Sequence, residues 1–154
     1  MGAVPFQLAM GAAQYKAQGE IGKFNQRVNN RNALILEGQA DQIEAKAEFD
    51  IAQFEKNFTK IEGQTKVALA KSGVVMDSGS AYNIQLSNAY EAQLQKQLIK
   101  YNSQVAAANK MEEANFARIK GTMARNESKL AQITTVAQTG SNIYSMMNKP
   151  KGVA

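Results

Sequence analysis

The side chains of this sequence best able to do chemistry are its carboxylates and its cations, and their spacing limits what that chemistry can be. Glu37, Asp41, Glu44, Glu48, Glu55 and Glu62 recur at steps of three, four or seven, which places them along one stripe of a helix. Like charges so spaced repel by a few tenths of a kcal/mol (roughly), so the stripe calls for a counter-charge. A solvated face with rim ion pairs would supply it, and so would a neighbouring protomer. Helix-spaced carboxylates without loop ligands do not build a calcium cage. Glu112 and Glu113 are adjacent, so they point in different directions and make a poor acid/base pair. Cysteine, histidine and tryptophan are absent, which removes disulfides, thiolate or imidazole metal sites, and Cys–His or Ser–His catalysis. No phosphate loop, nucleophile elbow or zinc helix is present. The sequence predicts no enzyme, no cofactor and no metal, and the lack of cysteine says nothing of compartment.

The cations are unevenly placed on a chain of net charge +5. Lys23, Arg27 and Arg31 in the first half, with Arg118, Lys120, Arg125 and Lys129 in the second, outnumber the neighbouring Glu20 and Glu127. This zone suits phosphate, in DNA or in a lipid headgroup; an ordinary solvated basic face is the alternative. No aromatic interleaving or nucleic-acid motif accompanies it, so sequence-specific reading of bases is not expected. Beyond the zone charge vanishes: residues 1–15 and 130–148 carry none. In the second stretch Leu130, Ile133, Ala137, Ile143, Tyr144 and Met147 fall on one side, with Gln132, Thr135, Gln138, Thr139 and Asn142 on the other. Such a segment fits a membrane interface or a pore wall, its amides facing water only if several copies close a ring. A protein–protein contact inside an assembly is the competing reading. The start "MGAVPFQLAMGAAQY" lacks a basic secretory leader, and Phe6 stands where a myristoylation pattern needs Ser or Thr. No apolar run reaches the ~20 residues of a conventional membrane span.

The elements that must position these residues are helices. Only two prolines occur, Pro5 and Pro150, and strand alternation is missing. Ala47, Ile51, Phe54, Phe58, Ile61, Thr65 and Ala68 keep a three-four spacing, preceded more loosely by Ile21, Phe24, Val28, Ile35 and Ile43. The second half repeats it with Tyr90, Leu94, Leu98, Tyr101, Val105 and Ala108. Phe116, Ile119, Met123, Leu130, Ile133, Ala137, Ile143 and Met147 then continue it. Alternating steps of three and four mark a coiled-coil seam. The interruption is "KSGVVMDSGSAYN", residues 71–83.

The expected fold is all-α, a long antiparallel helical hairpin of coiled-coil type assembled into a ring or bundle. It is one elongated domain over 1–154: an uncharged segment at 1–15, a first helix at 16–72, a turn at 73–80, a second helix at 81–148 and a tail at 149–154. Breaks are conceivable near Gly22, Gly38, Gly121 or Gly140. Folding back at residue 76 sets Phe58 against Leu94, Phe54 against Leu98, Ile51 against Tyr101 and Ala47 against Val105. It also brings Lys96, Lys100 and Lys110 near Glu55, Glu48 and Asp41. Gly73 suits a left-handed helix stop, and Asp77, Ser78 or Ser80 could cap the returning helix. Val74, Val75 and Met76 either staple the helix ends together or dock a partner. A lone two-helix hairpin buries little surface, so further copies are expected alongside.

The stretches "FQLAMGAAQYKAQGEIGKFNQRVNNRNA" and "FEKNFTKIEGQTKVALAKSGVVMDSGSAYNIQLSNAYEAQLQKQLIKYNSQVAAANK" resemble the small internal virion proteins of short-tailed bacteriophages. The sharpest part runs from Gly63 to Asn88, a "GQTK…SG…GS" run, with an amide-rich helix and Tyr101–Asn102 after it. The resemblance covers most of the chain and rests on composition, with no catalytic signature. It implies a non-enzymatic protein stored in the capsid near the portal, in several copies, beside the portal protein and larger internal virion proteins. It further implies release ahead of the genome and a share in the DNA conduit across the host outer membrane. The chain is short for that family and lacks an extended tail after Pro150. Two other functions stay open: a coiled-coil adaptor with no membrane stage, and a non-specific DNA-binding protein with a steep salt dependence of roughly −0.9 per phosphate neutralised.

Overall fold

The computed structural model describes residues 3–73 and 79–148. Two helices pack against each other: α1, Ala3–Lys71, and α2, Gly79–Met147, each of 69 residues. The chain is an all-α helical hairpin, as its periodicity and lack of internal proline require. Neither helix breaks at its glycines. Residues 3–15, set apart in the sequence reading as a separate segment, are the opening turns of α1, because nothing between Ala3 and Lys16 stops a helix once Pro5 falls in its first turns. The other boundaries shift by one or two residues, within the fraying of helix ends.

α1 stops as glycine chemistry dictates. The Ser72 amide donates to the Ala68 and Leu69 carbonyls at 3.2 and 3.1 Å, and the Gly73 amide to Ala70 at 3.2 Å. Gly73 has φ +75°, a left-handed conformation that side chains with a Cβ resist. Val74, Val75 and Met76, with Asp77 and Ser78, lie outside the described residues.

The hairpin divides into two compact units: a turn unit, Leu36–Glu112, and an open-end unit, Met1–Ile35 with Glu113–Ala154. Within the turn unit α1 contributes large apolar groups. Ile51, Phe54 and Phe58 are half-buried, and the Phe54 and Phe58 rings stack with centroids 6.3 Å apart. What they meet on α2 differs from the sequence expectation. Leu94, Leu98, Tyr101 and Val105 are 46, 52, 64 and 43% exposed; the residues turned toward α1 are Gln85, Ala92, Lys96, Ile99, Ser103 and Ala107. The groove beside Phe54 and Phe58 is closed by Gln85, Asn88, Ala92 and Gln95.

The reason is packing volume: side chains that reach fully into the seam are small on both helices, and larger ones enter it only in part. The buried apolar core of the described residues is all alanine, Ala33, Ala40 and Ala47 on α1 and Ala81, Ala92, Ala107 and Ala114 on α2, with Ile51, Phe54 and Phe58 of α1 and Gln85, Lys96 and Ile99 of α2 half-buried beside it. Ile61, Ala68, Ile21, Phe24, Val28 and Ile35, also expected at the seam, are exposed.

Candidate functional site

In the open-end unit the usual arrangement of a water-exposed helix pair is reversed. The interhelical seam is made of small and polar residues: Gly11, Gln18, Gly19, Gly22, Ala33 and Asn29 on α1, and Gly121, Ser128, Gln132, Thr135 and Thr139 on α2. Glycine is required by proximity. A Cβ on Gly22 would collide with the Ser128 side chain, and one on Gly121 would stand 3.1 Å from Asn29 Cβ and 3.3 Å from the Gln26 carbonyl. Bare backbone lets the helices approach closely enough for polar bonds between them.

Those bonds are present. Ser128 Oγ donates to the Gln18 carbonyl at 2.5 Å and Gln132 Nε2 to the Tyr15 carbonyl at 2.8 Å. The Thr135 hydroxyl lies 3.0 Å from Gln18 Oε1 and 2.9 Å from the Ala131 carbonyl, sharing one proton between them. Arg125 Nη1 donates to the Gly19 carbonyl at 3.4 Å. Hydroxyls of α2 in this region also close on their own helix: Thr134 to Leu130, Thr139 to Thr135 and Ser145 to Asn142, at 2.8–3.0 Å. A hydroxyl so bonded no longer requires water.

Large apolar residues cover the outside. Leu130, Ile133, Tyr144 and Met147 are 64, 65, 70 and 75% exposed, while Ile143 is half-buried beside Leu8, Tyr15 and Val136 in a groove floored by Gly11 and Gly140. On α1, Phe6, Leu8 and Met10 are exposed as well. Gln132, Thr135 and Thr139, read from the sequence as part of a water-facing side, are instead turned to the other helix, since close packing puts their hydrogen-bonding groups within reach of its backbone. Gln138 and Asn142 of that side are exposed. Gln7 Oε1 is buried with no hydrogen-bond partner, a cost of about 1–3 kcal/mol if left unmet.

The basic residues lie in this same unit. Lys23, Arg27, Arg31, Arg118, Lys120 and Lys129 are exposed; Arg125 turns inward to the seam. Lys23 pairs with Glu20 at 3.2 Å. That hydrogen bond and the lysine's charge hold the Glu20 carboxyl below its ordinary range, with Arg27 and Lys16 adding to the effect against a small opposing desolvation. A lowered carboxyl pKa contributes stability above the unfolded value that is lost as pH falls through the folded one.

In the turn unit Lys96 Nζ meets Glu55 Oε1 at 2.9 Å, as folding back at residue 76 predicts. Lys100 lines a shallow groove with Glu44 and Glu48. Among the described residues no group of acidic side chains could hold a metal ion, and no helix is long and apolar enough to cross a membrane. The inverted seam does not follow the pattern of large apolar residues from which a seam is expected. Its signal is the run of Gly, Ser, Thr and Gln at three-four spacing. No family model, no curated protein and no solved structure matches the chain.

Proposed function

We propose that the protein is a non-enzymatic internal virion protein of the short-tailed phage type, held near the portal and released to help form the DNA conduit across the host outer membrane. The observation that carries the membrane stage is the inverted open end. Small, hydrogen-bonded residues inside and Phe6, Leu8, Leu130, Ile133, Tyr144 and Met147 outside match the way helices pack where the surroundings are apolar. The self-satisfied hydroxyls of Thr134, Thr139 and Ser145 remove a further need for water.

Exposed Gln14, Gln138, Ser141 and Asn142 still require polar surroundings, so the conduit is built from several copies with these polar side chains facing its lumen. The exposed cations would meet headgroup phosphates, at about 1 kcal/mol each, or the genome. The test is dye release from phosphatidylethanolamine/phosphatidylglycerol vesicles by the full chain. Leakage is expected, and it should be lost on Ile133→Lys. No leakage at any protein-to-lipid ratio would remove the membrane stage. The turn unit, with its stacked phenylalanines and Lys96–Glu55 pair, favours a second reading, a coiled-coil adaptor that works only in water. That reading predicts a single oligomer and no partitioning into the same vesicles.

A further inference from the structure

The turn unit leaves a second coiled-coil seam uncovered. Tyr90, Leu94, Leu98, Tyr101 and Val105 are 67, 46, 52, 64 and 43% exposed, and after Tyr90 their steps alternate between four and three. This is the pattern of an a/d stripe, lying on the side of α2 away from Ala92, Lys96, Ser103 and Ala107, which face α1. α2 is thus a helix with two seams, of which the hairpin uses one.

We infer that this stripe is occupied by the same stripe of a second copy, α2 against α2. Charge selects the occupant. From Tyr90 to Asn109 the charged residues are Glu91, Lys96 and Lys100, and all three lie toward the α1 side, Glu91 at the groove of Phe54 and Phe58, Lys96 at Glu55 and Lys100 beside Glu44 and Glu48. The stripe is flanked instead by the exposed amides Gln93, Gln95, Gln97, Asn102 and Gln104. A face kept in water carries charge; a face depleted of charge around aromatic and aliphatic anchors is the composition of an interface. Two such faces meet without like-charge repulsion.

The outer side of α1 in the same unit cannot serve. Its large apolar residues there, Phe49 and Val67, are exposed about five helical turns apart with Lys56 and Lys60 exposed between them, so it offers neither a continuous apolar stripe nor neutral flanks. The inference concerns the turn unit alone and stands whether or not the virion reading does.

The experiment is the mass of the full chain by sedimentation equilibrium across a concentration series. The wild type should self-associate, and Leu98→Asp should raise the dissociation constant by at least about 30-fold. Phe49→Asp on the outer side of α1 should leave it unchanged. Leu98 is half exposed in the single hairpin, so the aspartate variant should keep its helicity by circular dichroism. Because the chain has no cysteine, Leu94→Cys, Leu98→Cys, Tyr101→Cys and Val105→Cys supply an independent readout that does not burden folding. Disulfides between copies at every position indicate parallel, in-register pairing, and at one position only an antiparallel pair; either supports self-pairing. A monomer at all concentrations, or an oligomer indifferent to Leu98→Asp and uncrosslinked at all four positions, overturns the proposal.

Discussion

The two units of this hairpin use the same heptad spacing to opposite ends. In the turn unit, Ile51, Phe54 and Phe58 of α1 enter the seam, beside Gln85, Ala92 and Gln95 or Ser103 and Gln104 of α2. In the open-end unit the seam holds Gly22 against Ser128 and Thr135 against Gln18, while Leu130, Ile133 and Tyr144 lie outside. The first arrangement gains from removing apolar surface from water. The second gains from close approach and interhelical hydrogen bonds, while both leave apolar surface on α2, Leu98 in the one and Ile133 in the other, for something else to cover. A single periodicity can therefore encode two kinds of packing, and residue size at the seam distinguishes them.

The sharpest way to break this contrast is to enlarge a residue in the tight seam. Gly22→Leu forces a side chain onto Ser128, and overpacking of this kind should cost about 3 kcal/mol. Hydrogen exchange should accelerate across residues 11–35 and 113–139, with protection kept in the turn unit. In the turn unit Gly63 has open space around its Cβ position, so Gly63→Leu should be neutral or slightly stabilising. Equal loosening in both cases would show that the seams do not differ as described.

Removing bulk should have the converse pattern. Phe54→Ala takes a half-buried ring from the turn seam and from its stack with Phe58; about 2 kcal/mol is expected in urea melts, below the full-burial range. Leu98→Ala, measured dilute enough to keep single hairpins, should cost less than about 0.5 kcal/mol. A large cost for Leu98 there would restore the seam that its spacing suggests.

That pairing shows how much of the molecule could be read in advance. The all-α hairpin was legible, because a chain with no proline between Pro5 and Pro150 and no strand alternation has few alternatives. So was the register, in the Lys96–Glu55 contact. The seam on α2 was not, because Leu94, Leu98 and Tyr101 have the periodicity of a core and nothing local tells which of two stripes faces the partner helix. That choice depends on the volume the seam can hold, a tertiary quantity. The open-end site was half legible. Its missing charge was visible along 1–15 and 130–148, but the direction of Gln132 and Thr135 depended on how closely glycines let the backbones approach.

A smaller effect probes the polar seam. Thr135→Val keeps shape, removes the donor to Gln18 Oε1 and should cost about 1 kcal/mol in thermal melts. Thr59 bonds only the Glu55 carbonyl of its own helix and is exposed, so Thr59→Val in the turn unit should be close to neutral.

The smallest effect sharpens the contrast in electrostatics. Lys96→Ala removes an ion pair whose side chains are 29 and 54% exposed, a loss of about 0.5 kcal/mol after solvent screening. Raising ionic strength from about 0.01 to 1 M shortens the screening length from ~30 to ~3 Å, so the difference between wild type and variant should shrink. The neutral bonds of Ser128 and Gln132 carry no such dependence, and protection in the open-end unit should change little over the same range. A Lys96→Ala cost that holds constant with salt would assign this residue to packing of its methylene stem over the turn seam. The two units would then differ in side-chain size alone, without the electrostatic distinction.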